Sequence, residues 1–91
     1  MKYRLRMTSQ FKKDIKLMKK RGREIWKLEN ILNRLADGET LPPDYQDHAL
    51  SGRYAGFREC HIQSDWLLVY YLDNDLLVLV CSRTGSHSDF F

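Results

Sequence analysis

The chain has 91 residues, enough for one compact domain over residues 1–91 and too few for two. Hydrophobic residues make up 43% of it, so it can build a core and is not a disordered tail. The net charge of +3 conceals a division: residues 1–34 carry twelve Lys/Arg against three acids, and residues 35–91 carry three against nine. Such asymmetry points to a polyanion meeting the first part, or to a solvated helix face balanced by the acidic half. No apolar run reaches the length of a membrane span, and the start lacks the apolar middle of a signal peptide. The sequence therefore predicts a cytoplasmic protein with no membrane partner.

Lys2 to Met7 alternates as a short strand does, with Tyr3, Leu5 and Met7 on one face. Thr8 or Ser9 can cap the helix that follows. Phe11, Ile15 and Met18 form its apolar stripe, with Lys12, Lys16, Lys19 and Lys20 on another side. Gly22 interrupts the pattern between Arg21 and Arg23. A second stripe, Ile25, Leu28, Leu32 and Leu35, runs to a C-cap at Gly38. Glu39 to Asp47 holds both prolines and reads as a loop. Three strand-like runs follow: Phe57 to Ile62, Trp66 to Leu72 and Leu76 to Ser82, the last two joined by the turn signal Asp73-Asn74-Asp75. Trp66 to Leu72 is apolar on both faces, as a covered central strand is. The order predicts an α+β fold of two layers: an N-terminal strand, a two-helix hairpin, then a three-stranded antiparallel meander, with the helices on one face of an antiparallel sheet.

Cys60 and Cys81 lie inside apolar runs without metal-ligand spacing and read as buried thiols. The three histidines, His48, His61 and His87, all fall in the second half near carboxylates, an arginine and aromatics. Histidine titrates near neutrality, and arginine offers a planar fork that suits phosphate. These are the parts for cleaving a phosphodiester without a metal. If Cys60 and Ile62 point into the core, Phe57, Glu59 and His61 face the other way. Arg83 ends the last strand, Thr84-Gly85-Ser86 bends the chain, and one helical turn would bring His87 beside Arg83. Each residue also admits a plainer role. His48 can bond its loop backbone, Asp65 can open an Asx-turn, His61 can be structural, Arg83 can pair with one of the nearby acids and His87 can sit in solvent. Zinc could use three histidines and an aspartate, but the spacing is wrong and Arg83 would repel a cation, so no metal or cofactor is expected.

The strings Asp47-His48-x-Leu50-x-Gly52, Gly56-x-Arg58-x-x-His61-x-x-x-Asp65-Trp66 and Arg83-Thr84-Gly85-Ser86-His87-x-x-x-Phe91 resemble the YafQ branch of the RelE/ParE toxin superfamily. The resemblance covers nearly the whole chain; Phe90 stands where that family leads one to expect a smaller aliphatic residue. It implies a RelE-like fold and a toxin of a type II toxin–antitoxin pair, a ribosome-dependent mRNA endonuclease acting in the A site. It implies a cognate antitoxin, DinJ- or RelB-like, and operator binding only through the complex. The implied chemistry is metal-free attack by the RNA 2′-hydroxyl. His87 would be the general acid, His48 the base, and Asp65 a rival base or an orienting group. His61 would contact phosphate or hold Asp65, Arg83 would meet the scissile phosphate, and Phe91 would stack on a base. Lys12, Lys13, Lys16, Lys19, Lys20, Arg21, Arg23 and Lys27 would then grip ribosomal RNA phosphates. A toxin of the ParE branch, which binds DNA gyrase without cutting RNA, and a degenerate regulatory module are the other readings.

Overall fold

A computed structural model describes residues 1–90; Phe91 lies outside the described residues. The elements run β1 (Arg4–Met7), α1 (Ser9–Lys20), α2 (Ile25–Ala36), β2 (His48–Ala49), β3 (Arg58–Gln63), β4 (Trp66–Asp73), β5 (Val78–Gly85) and α3 (His87–Phe90). They build the expected α+β arrangement, with one five-stranded sheet in the order β1-β5-β4-β3-β2.

Thr8 caps α1, its Oγ1 accepting from the Phe11 N–H at 3.0 Å. The helix ends in a Schellman turn: the Gly22 N–H donates to the Lys19 carbonyl and the Arg23 N–H to the Met18 carbonyl, both at 3.0 Å. Gly22 supplies the left-handed φ of +80° that this turn needs. The same pair of bonds closes α2, from Gly38 to Leu35 and from Glu39 to Arg34. The two stripes then bury Phe11, Met18, Leu28, Ile31, Leu32 and Leu35 against Cys60, Ile62, Trp66, Leu68, Tyr70, Leu79 and Cys81 of the sheet. Central β4 is flanked on both edges and buried on both faces from Trp66 to Tyr70, which is why that run is apolar. Both cysteines are free and buried, and burial pushes the Cys81 thiol up to about 12.

Four details correct the sequence reading. The sheet is not wholly antiparallel, because β1 pairs parallel to β5, with Leu5 opposite Leu79. Alternation reads the same in either strand direction, so it carries no information on this point. His48 lies in a two-residue edge strand, not in the proline loop. The last strand extends to Gly85, so Thr84 and Gly85 pair with Leu68 and Leu67 instead of bending the chain. Arg83 therefore sits in a strand and His87 begins a separate helix; no helical turn relates them.

Candidate active site

Residues paired across strands point to the same sheet face. One such row crosses four strands on the face away from the helical hairpin: His48, Glu59, Val69 and Arg83. The next row is His61, Leu67 and Gly85. Cys60 and Ile62 belong to the core while Glu59 and His61 do not, so the expected alternation of β3 holds.

The row's edge is fixed by Asp47, whose carboxylate accepts from Arg58 Nε at 3.1 Å and the Tyr70 hydroxyl at 2.7 Å. His48 Nδ1 lies 2.7 Å from the Gln46 carbonyl. A carbonyl only accepts, so Nδ1 carries the proton and the neutral ring keeps its lone pair on Nε2. The plainer role foreseen for His48 is thus real, and it sets the tautomer. Gln46 reaches this position with a φ of +50°. His48 Nε2 faces Glu59 Oε1 at 3.7 Å, and His61 Nε2 faces the same oxygen at 4.0 Å. Glu59 is only 4% exposed, a buried carboxylate between two imidazoles.

His87 closes the cluster from the other end, its ring 5.7 Å from that of His61. Both its backbone N–H and its Nδ1 lie 3.3 Å from Asp65 Oδ1. Those bonds, the backbone one foremost, hold the Asp65 carboxyl below its ordinary range. Asp65 is therefore tied to His87 and does not cap an Asx-turn. Gly85 makes room for α3: a Cβ there would lie 2.7 Å from Asp89 Oδ2.

Arg83 is paired, but not with an acid of its own half. Asp14, on the apolar stripe of α1, takes Arg83 Nε at 2.8 Å and Nη2 at 3.2 Å, and the Thr84 N–H at 3.1 Å. The Arg83 guanidinium also stands 4.9 Å over the Phe90 ring. Thr84, fully buried, accepts from Trp66 Nε1 at 2.9 Å and donates to the Leu67 carbonyl at 2.7 Å. An aromatic wall of Tyr54, Phe57 and Tyr71 stands near this face, with Phe57 and Tyr71 edge to face at 5.2 Å. A pocket of about 460 Å³ opens beside His61, lined by Arg34, Tyr45, Gln46 and Gln63 among others.

His48, His61, Asp65 and His87 thus form one chain of contacts through Glu59, and Arg83 lies in the same row of the sheet. The face can take a proton, give a proton and present a guanidinium. Sequence reasoning gave no role to Glu59 and missed Asp14. Both left a signal: Asp14 sits three residues after Phe11 and four before Met18, on the oily stripe, and Glu59 shares a strand face with His61. Of the eight proposed RNA-gripping cations, Lys12, Lys13, Lys16, Lys19 and Lys20 are exposed on α1. Lys27 pairs with Glu24 at 3.6 Å. Arg21 and Arg23 are committed elsewhere, as described below. Glu59, His61 and His87 offer ligand atoms within 4.8 Å of one another, a donor set that fits a zinc- or copper-like cation although the spacing in sequence gave no hint of it.

A helical hairpin on one sheet face and a cluster of histidines on the other define a RelE-like domain. Residues 3–91 match the family described as bacterial toxin of type II toxin–antitoxin system, YafQ, and the chain belongs to that family. The mRNA interferase toxin YafQ of Escherichia coli K12 is 38% identical over 85 residues, covering 92% of this chain and 90% of that one. A metal-bound toxin from Helicobacter pylori superposes with a TM-score of 0.91 at 37% identity, covering 98% of this chain and 99% of the other. The E. coli DinJ–YafQ complex gives 0.89 at 34% identity, covering 98% of both chains.

Proposed function

We propose that this chain is an endoribonuclease toxin that cuts mRNA in the ribosomal A site by metal-independent attack of the RNA 2′-hydroxyl. The observation that carries the reading is the convergence of three histidines from separate segments on the sheet face that Arg83 shares. The 2′-oxygen attacks the adjacent phosphorus and gives its proton to His48 Nε2, whose lone pair the Gln46 carbonyl fixes in place. The P–O5′ bond breaks, and His87 Nε2 gives its proton to the leaving 5′-oxygen. The products are a 2′,3′-cyclic phosphate and a 5′-hydroxyl.

Asp65 orients His87 through Nδ1 and is not itself the base. Arg83, held by Asp14, turns its remaining donors to the pentacovalent phosphorus. His61 contacts a phosphate oxygen, with Glu59 behind it. Phe91 braces a base. A cation at Glu59, His61 and His87 would compete with the proton that His87 must deliver and with the phosphate that His61 contacts, so it inhibits. The exposed lysines of α1 hold ribosomal RNA by charge. By analogy with the DinJ–YafQ complex, a cognate antitoxin covers this chain, and the complex meets operator DNA through the antitoxin.

The test is cleavage of a translated message with the ends analysed. Wild type should leave 2′,3′-cyclic phosphates. His87→Ala and His48→Ala should each lose about 10²–10⁴-fold in rate while remaining folded. A His87→Ala protein that cuts at the wild-type rate would refute the assignment of the acid. Gyrase-dependent DNA breaks with intact messages would refute the nuclease itself.

A further inference from the structure

Arg21 and Arg23 lie in the most basic part of the chain, where charge alone reads them as phosphate contacts. Their side chains are used otherwise. Arg21 Nη1 meets Asp89 Oδ2 at 2.8 Å and Nη2 meets Asp89 Oδ1 at 3.0 Å, a fork on a fork. Asp89 Oδ2 also accepts from the Ser86 N–H at 2.7 Å and from Ser86 Oγ at 3.0 Å, and the Asp89 N–H returns to the Ser86 carbonyl. The short turn that carries His87 and Phe90 is thereby closed on itself and fastened to the end of α1. Arg23 reaches the other loop: Nη1 donates to Gln63 Oε1 at 3.2 Å, Nη2 to the Asp65 carbonyl at 3.4 Å, and the guanidinium stands 5.7 Å from the Trp66 ring. Gly22 separates the two arginines, and the turn it allows aims one at each loop.

Two guanidiniums from one turn therefore hold the two halves of the His87–Asp65 pair, one the loop of the imidazole and the other the loop of the carboxylate. We propose that Arg21 and Arg23 are positioning residues for cleavage, setting the registry of His87 against Asp65, and are not RNA contacts. The inference rests on the reading of His87 as the general acid. The fork on Asp89 takes two of the five N–H donors of Arg21 and ties the His87 turn to the end of α1. Its consequence is geometric: a displacement of about 1 Å in a reacting group can cost about 10²-fold in rate.

The experiment compares Arg21→Ala, Arg21→Lys, Asp89→Asn and the double Arg21→Ala/Asp89→Asn with a variant in which Lys12, Lys13 and Lys16 are alanine. Ribosome-dependent cleavage is measured across salt concentrations, and amide hydrogen exchange is measured on the free toxin. Arg21→Ala should lower kcat about 10–100-fold with KM and salt slope unchanged. Arg21→Lys should recover most of the loss through one remaining bond. The double variant should be no worse than the worse of the two single changes, because the Arg21–Asp89 contact is already lost in each. The lysine variant should instead raise KM and flatten the salt slope. Exchange of the His87 and Asp89 amides should quicken in Arg21→Ala while core amides stay protected. A raised KM and flattened salt slope with normal kcat in Arg21→Ala would make Arg21 a phosphate contact and overturn the proposal. So would unchanged protection at His87 and Asp89. Wild-type toxin that leaves translated messages intact would overturn the nuclease reading and with it the catalytic meaning of the brace, while the exchange data would still report whether Arg21 holds the turn.

Discussion

Asp14→Ala should be strongly destabilising for a polar residue of α1 that lies outside the histidine cluster. The carboxylate is buried, with its side chain 6% exposed, and it receives four bonds: Arg83 Nε, Arg83 Nη2, the Thr84 N–H and Gln10 Nε2. Alanine leaves the Thr84 N–H without a partner in a site that is 1% exposed, at a cost of about 1–3 kcal/mol. Arg83 keeps 27% of its side chain in contact with water, so its lost partner adds only about 1 kcal/mol. The sum, about 2–4 kcal/mol, is a large part of the roughly 5–14 kcal/mol that holds a domain of this size together. At about 4–8 °C per kcal/mol, Tm should fall by roughly 10–30 °C. Asp14→Asn keeps an acceptor for Thr84 and should lose about half as much. Thermal unfolding followed by circular dichroism measures both. Cleavage by Asp14→Ala, assayed well below its Tm, should also fall, because Arg83 has lost the carboxylate that aims it. An Asp14→Ala protein melting within about 3 °C of wild type would refute the reasoning, since no arrangement of Arg83 supplies the acceptor that Thr84 needs.

Acid stability should depend on Asp89. Arg21 above all, then Ser86, holds its carboxyl well below the ordinary range in the folded state. The folded pKa is depressed, so the stabilisation is complete above the unfolded value near 3.9 and is lost as pH falls through that value toward the folded one. Melting temperatures of wild type and Asp89→Asn should therefore differ at pH 6 and converge below about pH 4; curves that stay parallel down to pH 2 would show that Asp89 is not the group titrating. Zinc added to the toxin should inhibit cleavage, and Glu59→Gln should weaken that inhibition. A zinc-selective chelator that spares Mg2+ should leave wild-type activity intact, and loss of activity on such chelation would show that a metal serves the reaction.

Strong periodicity made the helical hairpin, β3, β4 and the β4–β5 turn legible from sequence. The features it concealed are short or directional. The two residues of β2 and the four of α3 are too few to show a period. The parallel pairing of β1 is set by the path of the chain from the helices to the far edge and back, not by any local pattern. The irregular register between Val69 and Tyr70 shifts the pairing, and the ladder still continues to Gly85. The candidate residues stood out by their chemistry, but their mutual order was hidden, because Asp14 joins them from a position read only as bulk charge and Glu59 from one read only as a strand-face residue. Charge also gave no sign of the partners that Arg21 and Arg23 find on other elements. A net balance counts cations; it does not say whether they face solvent or a carboxylate on another element.

The buried polar residues explain how a face with so many ionisable groups keeps its shape. Among the described residues they are Asp14, Glu59, Thr84 and Ser86. Each touches a site residue or the group that holds one. Asp14 grips Arg83, Glu59 faces His48 and His61, Thr84 ties Trp66 to Leu67, and Ser86 closes the His87 turn on Asp89. Burying a polar group costs free energy unless a partner meets it; Asp14, Thr84 and Ser86 are met by hydrogen bonds, and Glu59 faces two imidazoles. That four of them gather at one end of the sheet, while the rest of the interior is apolar, marks where stability is spent on geometry. The histidines themselves stay more open, with side chains 50% exposed at His48, 19% at His61 and 53% at His87. Histidines that are to exchange protons with a substrate, as proposed, must stay open to it, so rigidity comes from behind them. The buried layer supplies it on the core side, and Arg21 and Arg23 supply it where the last loops leave the sheet.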